Sequence, residues 1–508
     1  MESEINEMRR IQKWQGIEQE FRVGMPLHHK QHPHQQQTFQ ESIEGGMRIF
    51  KALKSHKFFG SIPAMIYSRG YDGILRNGSR IYLCNFSLEI ATPECRNAFE
   101  LLKYDKAMEF YMQIASEIVN CVSERGRECE HENGLCADAA DVARVCVWRA
   151  NTELNPSFTR GTHENYAISR DFKKELILPF LVLKPIFFGA GGYVSEKLGS
   201  EKEMINAAEY VISPRAIATK YVYGGGGERK HPIFSIKGIT NLRIHVDSGE
   251  GLRLEVARFL NNAITSFVIC AIEDGKIRRV DKLEEPLATF KAISRETGGE
   301  WKIKLENGST VGAIDYINSH YLDAIEGLFE EKEAIEWDIY ALKTFKRLVE
   351  KMNEGLLEDE FVVKRVEWLL KMHLLERDVF RFECVDGVVS GGESEKGMRI
   401  AACFAFSNVC DADFYEAVAD EIGVERLLSE EDIADALLNP PRNSRASLRN
   451  RLLEEIVGMG EHPDNIFVRW NRIICPPTRE KEVIFDELDG WDGRRIEEEV
   501  RKVRMKWK

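Results

Sequence analysis

The chain has 508 residues, of which 43% are hydrophobic and 30% charged, with a formal net charge of -13. That length holds two or more domains with sizeable cores, and the composition excludes a disordered or fibrous chain. The acidic balance argues against a general nucleic-acid binder, whose footprint is a basic face.

The opening, MESEINEMRRIQKWQ, is charged and lacks the apolar stretch of a secretory signal. The eleven cysteines are odd in number and scattered, as expected of reduced thiols in a cytoplasmic protein. KWQGIEQEFRVG then alternates: Ile17, Gln19 and Phe21 share one face of a strand, and Glu18 and Glu20 share the other. The histidines of MPLHHKQHPHQQQ (His28, His29, His32, His34) read as a solvated loop, and residues 40–55 as a helix. Asn77-Gly78 signals a turn. It feeds RIYLC, where Arg80, Tyr82 and Cys84 face one way and Ile81 and Leu83 the other.

After Glu89, Thr92 and Pro93 read as the cap and first residue of a long helix whose N-terminal amides would favour a phosphate. Cys121, Cys129, His131 and Cys136 fit no common zinc module and read as a polar loop with thiols. RVCVWRANTEL reads as a buried strand. The apolar run from Leu176 to Phe188 is too short and too interrupted, by Pro179, Lys184 and Pro185, to span a bilayer, and reads as a core element. Gly189 to Gly192 (GAGG) reads as a helix end, and Gly224 to Gly227 as a glycine loop. NLRIHV is a strand leading to a long helix, residues 313–375 are mostly helical, and GMRIAACFAFSNV reads as a further strand. A boundary is placed near Gly423, giving domains 1–422 and 423–508. The second holds a helix capped by Ser429, a break at Pro440-Pro441, an arginine-rich helix start and a basic C-terminal helix.

Glu18 and Glu20 on one strand and Glu89 on another, with Glu164 as a further candidate, are hard oxygen donors. Such a set prefers magnesium or manganese, usually completed by substrate phosphates. With Arg80, Arg215 and Arg243 supplying positive charge, the residues suit phosphoryl transfer from a nucleotide, without a P-loop or a protein-kinase motif.

The ordered set GIEQEF, LRNGSRIYL, EIATPEC, GTHENY, LPFLV, GAGG, LRIHV and NPPRNSRASLR resembles the Pup ligase and depupylase family, over about residues 11 to 475. The resemblance implies an α+β fold akin to glutamine synthetase and carboxylate-amine ligases, with a curved, mostly antiparallel sheet packed with helices and a small C-terminal domain. It implies ATP and magnesium as cofactors, with magnesium at Glu18, Tyr82 and Glu89 and nucleotide contacts at Arg80, Thr92 and Trp470. Arg445 and Arg449 would seat an acidic partner, a small Pup-like protein. In the implied reaction ATP phosphorylates that partner's C-terminal glutamate, and a substrate lysine attacks the acyl phosphate. Depupylation or deamidation is the alternative within the family.

The resemblance also implies an aspartate base on the polar strand, and here that position is Cys84. Three readings stand: a weak base or altered nucleophile whose pKa nearby cations lower, an enzyme that phosphorylates but transfers poorly, or a non-catalytic protein that binds a Pup-like partner. The Gly224 to Gly227 region also departs from the family's charged loop, which bears on substrate handling.

Overall fold

The computed structural model describes residues 10–24, 35–84, 87–133, 144–224, 231–238, 242–376, 394–410, 413–475, 481–488 and 490–507. The four histidines of residues 28–34, the cluster around Cys129, His131 and Cys136, and glycines 225–227 lie outside the described residues or side chains.

Ten strands form one sheet. In chain order they are β1 (Gln15–Gly24), β2 (Met65–Arg69), β3 (Asp72–Leu75), β4 (Arg80–Cys84), β5 (Ser87–Ala91), β6 (Cys146–Trp148), β7 (Thr162–Ala167), β8 (Tyr221–Gly224), β9 (Pro232–Lys237) and β10 (Arg243–Val246). Their spatial order is β8-β9-β10-β7-β1-β5-β4-β3-β2, with β6 also on β1. β8 and β9 run parallel, and the other pairings are antiparallel. The expected alternation is realised in β1: Ile17, Gln19, Phe21 and Val23 are buried, while Glu18 and Glu20 lie half-buried on the opposite face.

Helices α1 (Gln35–Ser55) and α2 (Ala98–Asn133) flank the apolar face of the sheet, where Ile17, Phe21, Ile81, Leu88 and Ile90 meet Tyr111 and Met112 of α2. A second, larger core surrounds α5 (Glu255–Glu273) and the apolar run of α3 (Lys174–Leu183) and α4 (Pro185–Phe188). α5 is long and apolar enough to cross a membrane, yet it is wholly buried within the protein, as a helix that is hydrophobic all round must be. The run from Leu176 to Phe188 is buried as expected.

Two sequence expectations are corrected here. The helix expected at Thr92 starts at Ala98. Cys95 instead pairs with Gln15 through two backbone hydrogen bonds (2.9 and 2.8 Å), which keeps residues 92–95 extended, and Asn97 Oδ1 accepts the Glu100 amide at 2.8 Å. The helix amides therefore do not start beside the polar strand. GMRIAACFAFSNV is not a strand but helix α6 (Glu395–Ser407), because Ser394 caps it and Ile400, Ala402 and Phe406 recur toward the core.

The chain beyond Gly423 divides its packing. α7 (Glu430–Leu438), capped by Ser429, lies on α2, where Tyr104 and Tyr111 donate to the carbonyls of Asn439 and Leu437. From α8 (Arg445–Gly458) onward the chain has a core of its own. It contains Leu448, Leu452 and Ile456, the strands β11 (Phe467–Arg469), β12 (Arg472–Ile474) and β13 (Glu482–Ile484), and α9 (Gly493–Trp507). Tyr67 and Ile74 of the main sheet complete that core. Gly423 thus precedes a helix that packs on α2, and the core that the C-terminal segment shares with Tyr67 and Ile74 starts at α8.

Candidate active site

Register decides which side chains meet on the polar face. Glu20 lies opposite Glu89, and Glu89 opposite Tyr82. One step along the strands, Glu18 lies opposite His163 on one side and Ala91 on the other, with Arg80 beyond Ala91. Because directly opposed residues share a face, the row Tyr82, Glu89, Glu20 abuts the row Arg80, Glu18, His163. The Tyr82 hydroxyl donates to Glu18.

Glu164 does not join them. It is buried on the core side of β7, where Lys184 donates to both its oxygens (2.6 and 2.8 Å) and the Tyr166 hydroxyl donates at 2.7 Å. Its strand neighbours His163 and Asn165 take the site face instead. Asn165 Oδ1 sits 2.8 Å from Arg243 Nε and 2.9 Å from His245 Nδ1. Among the described residues, Glu18, His163 and His245 bring ligand atoms within 4.8 Å of one another, a group compatible with a metal ion. The sequence reading missed both histidines as site residues. The signal was present in GTHENY, but only the register of β7 on β1 fixes which of His163 and Glu164 faces the site.

The electrostatics follow from crowded carboxylates. Burial, then Glu20 and Glu18, push the Glu89 carboxyl up to about 8. Burial also opposes ionisation of Glu18, but the hydrogen bond from His163 and the cationic neighbours outweigh it, so Glu18 lies below the usual carboxylate range. Arg215 Nη2 lies 3.2 Å from His163 Nε2, and His163 Nδ1 lies 3.3 Å from Glu18 Oε2.

Arg215 itself is buried, with donors on the Asp247 carbonyl and Thr159 Oγ1. It stands behind His163 rather than open to a nucleotide. Arg80 is held by Asp72 through two hydrogen bonds (2.8 and 2.6 Å). Cys84 ends β4 among carboxylates, not cations. Burial, then Glu89, raise its thiol to about 11, the opposite direction to the reading in which nearby cations lower it.

Beside this face, between the sheet and the C-terminal segment, an open cleft holds about 790 Å³ of free space, solvent-open part included. Its walls include Trp14, Glu18, Thr92, Arg243, Arg445 and Trp470. Thr92 Oγ1 accepts the Ile17 amide at 3.0 Å, fixing the cleft floor to β1. Arg445 and Arg449, read from sequence as a seat for an acidic partner, are both buried and paired with Glu94. They join the C-terminal segment to the sheet: Arg449 is fully buried, and Arg445 borders the cleft without forming an open basic surface.

A profile of the Pup-ligase protein family matches residues 3–474. The chain belongs to this family. Among its relatives, this Pup-ligase family member is 26% identical over 404 residues to a Pup--protein ligase of Nocardioides sp. (strain ATCC BAA-499 / JS614), covering 76% of this chain and 81% of that protein. A Pup--protein ligase of Kribbella flavida matches at the same identity and coverage. The fold is that of a solved complex between the prokaryotic ubiquitin-like protein Pup and its ligase PafA, with TM-score 0.75 at 19% identity over 97% of this chain and 93% of that one. The ligase PafA solved in complex with ADP matches with TM-score 0.67 at 19% identity, over 87% and 91% of the two chains. The α+β fold with its mostly antiparallel sheet, expected from the sequence, is therefore the Pup-ligase fold.

Proposed function

We propose that this Pup-ligase family member is an ATP- and magnesium-dependent ligase. It joins the C-terminal glutamate of a small acidic Pup-like protein to substrate lysines, in the cytoplasm. The observation that carries this reading is the direct opening of the cleft onto the carboxylate face, with Glu18 lining both.

The nucleotide would occupy the cleft beside Thr92, Arg243 and Trp470, with Arg80 on the adjoining strand face supplying positive charge. Hard oxygen donors crowded enough to push one carboxyl up to about 8 suit a divalent cation. Glu18, Glu89 and Tyr82 would hold magnesium, with Glu20, His163 and His245 adjacent; when bound it offsets the charge of the transferring phosphoryl group.

The γ-phosphoryl group passes to an oxygen of the Pup-like carboxylate, giving an acyl phosphate and ADP. The lysine nitrogen then bonds to the acyl carbon, and phosphate leaves. Lysine has an unperturbed pKa of about 10.4 and must lose a proton to attack. The residue at the expected base position is Cys84, a thiol among carboxylates. That favours a second reading in which phosphorylation outlasts transfer, or in which only binding of the Pup-like partner remains.

The test is ADP release from Mg-ATP with a Pup-like peptide ending in glutamate. Peptide-dependent release supports the ligase reading. ATP that binds without turnover points to depupylation or regulation, and absence of ATP binding rejects a nucleotide site in the cleft.

A further inference from the structure

We propose that Arg449 is a positioning residue that holds Trp470 against the nucleotide cleft, with Glu94 fixing Arg449 in turn. The proposal rests on the reading of the cleft as a nucleotide site.

Trp470 and Asn471 form the two-residue turn between β11 and β12, the tip of a hairpin in a small three-stranded sheet. A hairpin tip is ordinarily among the more mobile parts of a fold, yet this one supplies a wall of the cleft. Arg449 reaches it from α8. Its Nη1 donates to the Trp470 carbonyl at 3.1 Å, and its guanidinium carbon lies 4.9 Å from the centre of the indole ring. Both the backbone and the ring of Trp470 are therefore held by one cation.

The same guanidinium donates through Nη2 to the Gly78 carbonyl at 3.0 Å, and Nη1 lies 3.5 Å from Glu94 Oε2. Gly78 belongs to the turn that feeds β4, the strand of Arg80 and Tyr82. Glu94 follows Thr92 by two residues and accepts Arg445 Nε and Nη2 at 2.9 and 2.6 Å. One fully buried side chain thus touches three walls: the hairpin tip, the turn behind the polar strand, and the segment carrying Thr92. An apolar residue of similar volume would fill this space without the desolvation cost of a charge. What it would not do is fix the angle of the Trp470 ring.

The experiment uses the full chain. ADP binding with magnesium is measured by calorimetry, and urea unfolding is measured in parallel, for Arg449→Met, Arg449→Lys, Trp470→Ala, Glu94→Gln and the double variant Arg449→Met/Trp470→Ala. The expected result is about tenfold weaker ADP binding for Arg449→Met, the scale of one cation–π contact plus one hydrogen bond. Arg449→Lys should recover part of it, and Glu94→Gln should lose somewhat less than Arg449→Met. In the Trp470→Ala background, Arg449→Met should weaken ADP less than about twofold further, because two residues that act as a unit are not additive. Losses that simply multiply, or an unfolding shift with ADP affinity unchanged, overturn the proposal. If Arg449→Met does not fold, Glu94→Gln in the presence and absence of Trp470 decides in the same way. If Trp470→Ala alone leaves ADP affinity intact while ADP binds elsewhere, the nucleotide reading of the cleft fails, and the proposal with it.

Discussion

Glu164→Gln separates the two faces of β7. In the structure Glu164 is a core residue whose carboxylate accepts two hydrogen bonds from the buried Lys184 and one from Tyr166. The amide keeps the shape and one acceptor but leaves the ammonium without a counter-charge. Releasing the proton of a lysine with an ordinary pKa of about 10.4 costs about 5 kcal/mol at pH 7, which sets the ceiling on the charge penalty. Breaking one partner of a buried pair typically costs about 3–5 kcal/mol, so the expected loss is in that range. Burial already pulls the Lys184 pKa below its ordinary value. Without Glu164 the pull is larger, the unfolded chain binds the proton more readily than the folded one, and the variant's stability should rise between pH 7 and 9. Urea unfolding at both pH values measures this. The double variant Glu164→Gln/Lys184→Met should recover more than half of the loss. ADP affinity of the folded variant should be unchanged. A loss under about 1 kcal/mol, or a stable variant that no longer binds ADP with magnesium, would refute the placement of Glu164 in the core.

Other expectations follow from the same geometry. Gly78 has φ +85°, and a Cβ there would meet Ala446 and Pro440 at 3.2 Å; Gly78→Ala should cost about 2–4 kcal/mol from left-handed strain and crowding, read by urea unfolding. Burial pushes the Glu250 carboxyl up to about 7. Since the folded state then holds that proton above the unfolded pKa of about 4.3, stability should fall by about 2–4 kcal/mol from pH 5 to pH 8, and Glu250→Gln should flatten the decline. Cys84→Asp should raise isopeptide formation without changing ADP affinity; no gain, or a collapse of activity in Cys84→Ala alone, would give the thiol a task of its own. Chelating magnesium should abolish peptide-dependent ADP release, and adding it back should restore it.

The polar face was legible wherever one strand sufficed. Alternation alone put Glu18 and Glu20 opposite Ile17 and Phe21, and Arg80 opposite Ile81, because a two-residue period needs no partner. It failed at His163 and Glu164, which occupy adjacent positions of equal polarity, so that only pairing with β1 and β10 sorts them. The helix expected at Thr92 failed for a similar reason. A Thr-Pro pair is a good start signal, but the Cys95 backbone found a tertiary partner in Gln15 and the helix gave way to the sheet. α6 was misread because short apolar runs fit either period. The arginines of NSRASLR looked exposed at a helix start; their burial depends on Glu94, some 350 residues earlier, which no local pattern reveals.

The first strand of the fold is also its centre. β1 is flanked by β5 and β7 and can be covered on both sides only after about residue 167 has been made. Trp470 closes the cleft later still. High sequence separation of this kind slows folding and leaves edges open in the meantime. During synthesis the chain therefore carries the residues of its polar face for most of its length without the cleft beside them. An incompletely translated chain would be silent towards ATP, and a half-made ligase would spend none.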